Sequence, residues 1–281
     1  MATLKKAGYK KRPLSFWQLK YFNSMNAVGP ESDSYIYPNR TNYFKWILMG
    51  LLIIFISAFS SVLIITIFYK SANPPLTWLM VERYFFNEKT KFSPIQNQAI
   101  QIESVSPNMV LAAIAAEDNL FPTHRGFDFE SIREAREQQI MGKRTRGAST
   151  ISMQVSKNVF LWHGRTWTRK FLEAGFTVLI EAFWSKKRIM EVYLNIAEFG
   201  PAIYGIESAS KAFFNKPSSK LTLNEAAMMA TILPNPLLRN PTKPSNYMRN
   251  YQQRILRNMR NLGDIDLSNR AIAEKNAKSK K

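Results

Sequence analysis

From Trp46 to Tyr69 the chain reads WILMGLLIIFISAFSSVLIITIFY, 24 residues without a charge. As a helix rising ~1.5 Å per residue, this run outreaches the ~30 Å hydrocarbon core of a bilayer, and buried helices of soluble proteins rarely stay uncharged for so long. It begins after residue 45, exceeds a signal-peptide apolar region in length, and is followed by KSANPP without a small-residue cleavage site. It is therefore read as a single retained transmembrane helix. The residues before it hold eight basic side chains against Glu31 and Asp33, so the positive-inside tendency keeps residues 1–45 cytoplasmic and sends everything after Tyr69 outside. Most of the +19 formal charge of the 281-residue chain then faces the outer leaflet, where phospholipid headgroups or a diphosphate are the anionic partners and nucleic acid is not expected.

What remains is long enough for one catalytic domain with a real core. The chain has no cysteine, which excludes a disulfide framework, a thiolate nucleophile and cysteine metal sites. Residues 70–100 form a juxtamembrane segment in which Pro74-Pro75 breaks the helix and LTWLMVERYFF, Leu76 to Phe86, is aromatic enough to lie at an interface or to pack on the core. Helix signals dominate residues 101–263. Ser106-Pro107 opens one helix, and Ser185 opens another through KKRIMEVYLNIAEF to Gly200. Thr222 and Glu225 form a capping box before a helix that Pro234 stops, and a last helix runs from about Ser245 to Leu262. No alternating strand pattern appears, so the domain reads as all-α, followed by a basic tail, 264–281, that carries no pattern for a packed element.

Two carboxylates stand out on physical grounds. Glu117-Asp118 places a negative pair at a helix C-terminus, where the dipole disfavours it. Glu173 lies among Leu172, Phe176, Leu179, Ile180 and Phe183, an environment that predicts poor solvation and a raised pKa. His124 suits either a general base or a hydrogen-bonding turn residue, and two histidines cannot build a histidine-rich metal site. Ser208 and Lys211 spell the SxxK of serine acyl-enzymes, but no KTG accompanies them, so the match is taken as chance. In GASTISMQVSKN, Gly147 to Asn158, small and hydroxyl residues beside Lys157 and the later Arg165 suit diphosphate oxygens or a basic surface loop.

Order and spacing decide among these readings. EDNLFPTHRG (117–126), GASTISMQVSKN (147–158), RKFLEAGFTVLIE (169–181) and KKRIMEVYLNIAEFG (186–200) together resemble the four core motifs of the glycosyltransferase family 51 peptidoglycan enzymes. The likeness extends over roughly residues 100–262 and is strongest to the monofunctional biosynthetic peptidoglycan transglycosylases, including KNVFLWHGR and LTLNEAAMMATILPNP. It implies a lysozyme-like all-α domain behind the single membrane helix, with an apolar face dipping into the bilayer of the bacterial cytoplasmic membrane. It further implies that Glu117 is the general base on the acceptor 4-hydroxyl of lipid II, that Glu173 is the second catalytic carboxylate, and that Ser149, Gln154, Lys157 and Arg165 contact substrate. Asp118, His124, Gly126, Asn158 and Lys170 belong to the same motifs as supporting residues. The implied reaction transfers the growing lipid-linked glycan onto lipid II with inversion to a β-1,4 bond and release of undecaprenyl diphosphate. No tightly bound cofactor is expected and no metal ligand can be named, although the diphosphate leaves room for a divalent cation, Mg or Mn. Partners implied are lipid II, the growing glycan, the bilayer, and other cell-wall synthesis or division proteins.

The motifs also depart from the family pattern. Ala148 and Met153 replace one of a paired glycine and one of a paired glutamine, and Tyr251 stands where an arginine usually precedes the Ile/Val-Leu pair by four residues, with Arg254 directly before that pair instead. A lysozyme-like glycan hydrolase would share paired carboxylates on an α-rich fold, and an inactive division scaffold would share the anchor. Neither needs the basic diphosphate residues.

Overall fold

A computed structural model describes Lys20 and residues 40–142, 147, 149–162, 164, 166–265 and 267. Most of the two basic tails, together with Ala148 and Arg165, lies outside the described residues. By internal contacts the chain divides into Met1–Ala58 and Phe59–Lys281. The first unit contributes the exposed, apolar beginning of helix α1 (Arg40–Phe68), in which Tyr43–Phe68 is long and apolar enough to cross a membrane.

The second unit begins with the last turns of α1 and continues through α2 (Trp78–Phe86), α3 (Pro107–Glu117), α4 (Phe129–Ile140), α5 (Ile151–Phe160), α6 (Trp167–Phe183), α7 (Lys186–Ile196), α8 (Ile206–Phe214), α9 (Leu223–Ala230) and α10 (Asn246–Leu262). Helix α3 is its centre. Ala112, Ala113, Ile114, Ala115 and Ala116 are all buried, so this helix is enclosed on every side and not amphipathic. Its alanines meet the equally small Ala226, Ala227 and Ala230 of α9, which lets the backbones approach closely, and α10 closes the group with Ile255 and Met259. The capping box at Thr222 and Glu225 forms as the sequence predicts. Ser106 stands at the N-cap of α3 above Pro107, but its hydroxyl donates to Leu221 O instead of capping.

The helix after Ser185 ends at Ile196, short of the expected Gly200. The backbone turns extended at Ala197, φ −60, ψ 136, while Asn195 just inside the helix end pairs with both backbone groups of Ile100, accepting from N at 3.0 Å and donating to O at 2.8 Å. Residues beyond it form a small sheet that the sequence pattern does not show. Its strands β1 (Gln96–Asn97), β2 (Glu198–Gly200) and β3 (Ile203–Tyr204) lie in the order β1-β3-β2, parallel between β1 and β3 and antiparallel between β3 and β2. Strands of two or three residues are too short for alternation to register. Ser208 and Lys211 both serve this edge: the Ser208 hydroxyl accepts from Gln98 N at 2.8 Å, and Lys211 Nζ donates to Gln98 Oε1 at 2.7 Å. The aromatic segment is split in role, with Leu79 and Met80 buried and Trp78, Phe85 and Phe86 exposed.

Within this unit the end of α1 is tied to the junction of α6 and α7. Trp184 Nε1 donates to Thr66 O at 2.8 Å, and the Arg188 guanidinium donates to the carbonyls of Tyr69 and Ala72, groups that a helix C-terminus otherwise leaves without partners.

Candidate active site

Helix α3 ends on Glu117 because Asp118 leaves the helical region at φ −158, ψ 79. Donors from α10 take carbonyls of its last turn: Tyr251 OH donates to Ala116 O at 3.3 Å and Asn258 Nδ2 to Ala115 O at 3.1 Å. The unfavourable carboxylate pair is offset by the opposite end of another helix. Asp118 Oδ2 accepts from Ile151 N at 2.9 Å, one of the free N–H groups opening α5, and Gln154 Nε2 donates to Glu117 Oε2 at 2.8 Å. Asp118 is buried by these contacts, whereas Glu117 remains half-buried on a cavity of about 460 Å³ shared with Ser149 and Thr150 and walled by Asp128, Glu130 and Glu134.

His124 belongs to the turn. Gly126 N donates to its Nδ1 at 3.0 Å, which assigns the ring proton to Nε2, and Nε2 lies 3.0 Å from both Asp118 oxygens. With both nitrogens committed, the ring positions Asp118 and takes no general-base role. Gly126 is required where it stands. It has φ +87, and a Cβ there would sit 2.7 Å from Thr177 Cγ2, while its carbonyl accepts from Thr150 Oγ1 at 2.6 Å. Thr150 in turn caps α5 by accepting from Met153 N.

Helix α5 carries Gln154 and Lys157 one turn apart on one face. Its seam with α6 is polar: Thr177 Oγ1 donates to Ser156 Oγ at 3.1 Å, and Ser152 donates to Glu181, which also accepts from Lys186 Nζ at 2.7 Å. Glu173, 2% exposed, is buried as the sequence predicts. It is not left among apolar side chains, however. Arg169 Nη1 and Lys170 Nζ each reach its carboxylate at 2.5 Å. Of the apolar residues named around it, Leu172 is exposed, Ile180 is buried and Phe176 stacks on Phe160, while the two cations close on the carboxylate itself. Lys157 is half-buried within the field of both carboxylates. Burial pushes its ammonium below the ordinary lysine range, Glu173 and more weakly Glu117 oppose the change, and Arg169 and Lys170 add to it.

Of the residues singled out in the sequence, Glu117, Gln154, Lys157, Lys170 and Glu173 are thus brought into one electrostatic system, with Ser149 on the adjoining cavity. Asp118, His124 and Gly126 hold it, Asn158 is buried in α5, and Arg165 lies outside the described residues. Sequence reasoning missed Arg169, whose i,i+4 spacing from Glu173 was the available signal, and the Ser152–Glu181–Lys186 group below the seam. Tyr251 is a buttress for α3, so the departure from arginine there has a structural use. Among the described residues no three His, Asp or Glu side chains converge as a metal ion requires. No residue and no step is assigned to a divalent cation.

Residues 86–260 match the family model described as transglycosylase. Similar proteins include the biosynthetic peptidoglycan transglycosylase of Cronobacter sakazakii, 50% identical over 67% of this chain and 79% of that protein. Those of Pasteurella multocida and Shigella boydii, of the same name, are 46% identical over 72% of this chain and 83% of theirs, and 55% identical over 58% of this chain and 68% of theirs.

Proposed function

The chain belongs to the transglycosylase family and polymerises the glycan strands of peptidoglycan, and we propose that Glu117 is the general base of that reaction. Its substrates are lipid II and the growing lipid-linked glycan. The 4-hydroxyl of lipid II attacks C1 of the growing chain as its proton passes to Glu117. The C1–oxygen bond to diphosphate breaks with inversion, and the electron pair leaves on undecaprenyl diphosphate. Gln154, donating at 2.8 Å, holds the carboxylate in one orientation.

The observation that carries this reading is the arrangement of charge beside Glu117. Lys157, Arg169 and Lys170 gather three cations around the single charge of Glu173, a net positive patch matched to a diphosphate. Glu173 accordingly acts by collecting and orienting those cations, with Arg165 proposed to join them. The membrane helix is proposed to cross the bacterial cytoplasmic membrane once, with residues 1–45 inside and the catalytic domain outside, where other cell-wall synthesis or division proteins would meet it. The relatives' biosynthetic character leaves the hydrolase and scaffold alternatives unsupported.

Glu117→Gln tests the assignment. The amide keeps the shape and the hydrogen bond to residue 154 but cannot take the proton, so lipid II polymerisation should fall ~10²-fold or more with an unchanged circular-dichroism spectrum. Retention of about a tenth of the rate removes Glu117 from the role.

A further inference from the structure

Just past the end of α1 a groove of about 770 Å³ opens between Lys70, the C-terminal half of α6 and the start of α7. Its lining holds four cations, Lys70, Arg125, Lys186 and Arg188, against one carboxylate, Glu181. Two of the cations are committed: Lys186 to Glu181 and the Phe121 ring, and Arg188 to Glu191 and the carbonyls of Tyr69 and Ala72. Lys70 and Arg125 are exposed, and neither side chain has an ion-pair or hydrogen-bond partner among the described residues. Neither lines the cavity beside Glu117.

The opposite wall is apolar. Val178, 56% exposed, and Ala182 lie one turn apart on α6, on the face that continues to Phe171 and Trp167, 80% and 91% exposed. Two uncommitted cations beside an apolar wall, immediately after a membrane-crossing helix, match an amphipath with an anionic head and hydrocarbon tails. We propose that this groove binds an anionic phospholipid of the surrounding leaflet, with its phosphate on Lys70 and Arg125 and its acyl chains along Val178 and Ala182. The proposal rests on the reading of α1 as membrane-spanning.

The test uses the full chain in neutral detergent, with native mass spectrometry after titration with phosphatidylglycerol, phosphatidylcholine or lipid II. One phosphatidylglycerol should be retained in preference to phosphatidylcholine. Lys70→Gln with Arg125→Gln should weaken that retention about 30-fold, from ~1 kcal/mol per basic residue. Arg257→Gln with Arg260→Gln, which removes the same charge from the exposed face of α10, should leave it unchanged. Equal retention of both phospholipids, no effect of the groove variant, an equal effect of the α10 variant, or displacement of phosphatidylglycerol by lipid II would each overturn the assignment. Flotation with neutral vesicles separates the premise: a chain that does not float removes the membrane-spanning reading, whereas one that floats without preferring phosphatidylglycerol removes the groove proposal alone.

Discussion

Glu173→Gln takes the charge from a carboxylate that two cations share, and the two should respond differently. The Arg169 side chain is 11% exposed and keeps only the Gly164 carbonyl, which its Nε reaches at 2.6 Å, so its guanidinium becomes a buried charge without a counter-ion. Lys170, at 42%, can turn to water, and its pairing is worth little once solvent screening is counted. Breaking one side of a buried pair costs ~3–5 kcal/mol. The amide keeps the volume and one acceptor oxygen, which places the cost near the lower end, about 3 kcal/mol. At roughly 2–4 °C per kcal/mol for a domain of this size class, the midpoint should fall by ~6–12 °C. Thermal unfolding in neutral detergent measures this, and lipid II polymerisation at 25 °C, where the variant remains folded, measures function. Turnover should drop at least roughly tenfold, because orientation of the diphosphate cations is lost along with charge balance. A midpoint within about 2 °C of wild type, together with a rate within about twofold, would refute the idea that Glu173 works by holding Arg169 and Lys170.

Three further outcomes follow from geometry already described. Gly126→Ala should destabilise the domain by about 2–4 kcal/mol in chemical denaturation, since the left-handed backbone and the 2.7 Å approach to Thr177 both oppose a Cβ, and Thr177 is pinned by its bonds to Glu173 O and Ser156. In the pH–rate profile, turnover that needs the Lys157 charge should fall as pH rises through a value below the usual lysine range, because burial favours the neutral amine. Lys157→Arg should lower the rate yet remove that alkaline limb, since a guanidinium keeps its proton, and an unchanged limb would detach it from Lys157. Tyr251→Phe preserves the ring against Arg254 but loses the donor to Ala116 O, so about 1 kcal/mol of stability should go and kcat should fall several-fold with KM nearly constant.

The sequence made the membrane helix, the helical domain and the main carboxylates legible because each rests on local pattern: an uncharged run, caps such as Thr222 with Glu225, and motif order. What it hid depends on contacts between distant segments. The apolar residues flanking Glu173 suggest an apolar setting, and its burial follows, yet Arg169 and Lys170 close on the carboxylate, a contact that the flanking composition does not show. The end of α7 also depends on tertiary pairing, since the chain turns extended at Ala197 and runs into the β2–β3 pair, strands too short to show a pattern in sequence. Tyr251 read as a missing arginine, and its use became visible only once α10 was seen against the last turn of α3.

The bonds from Trp184 and Arg188 to Thr66, Tyr69 and Ala72 bear on where a soluble version of this enzyme should be cut. A boundary drawn after Ala72 discards every one of those acceptors, leaving a buried indole N–H unpaired and the largely buried Arg188 guanidinium with Glu191 and Asn73 alone. A fragment beginning near Phe59 keeps the seam but retains a short apolar stub on its surface. The practical compromise is to keep the stub and replace its exposed Ile64, Ile65 and Ile67 with polar helix formers, leaving Thr66 in place to receive Trp184.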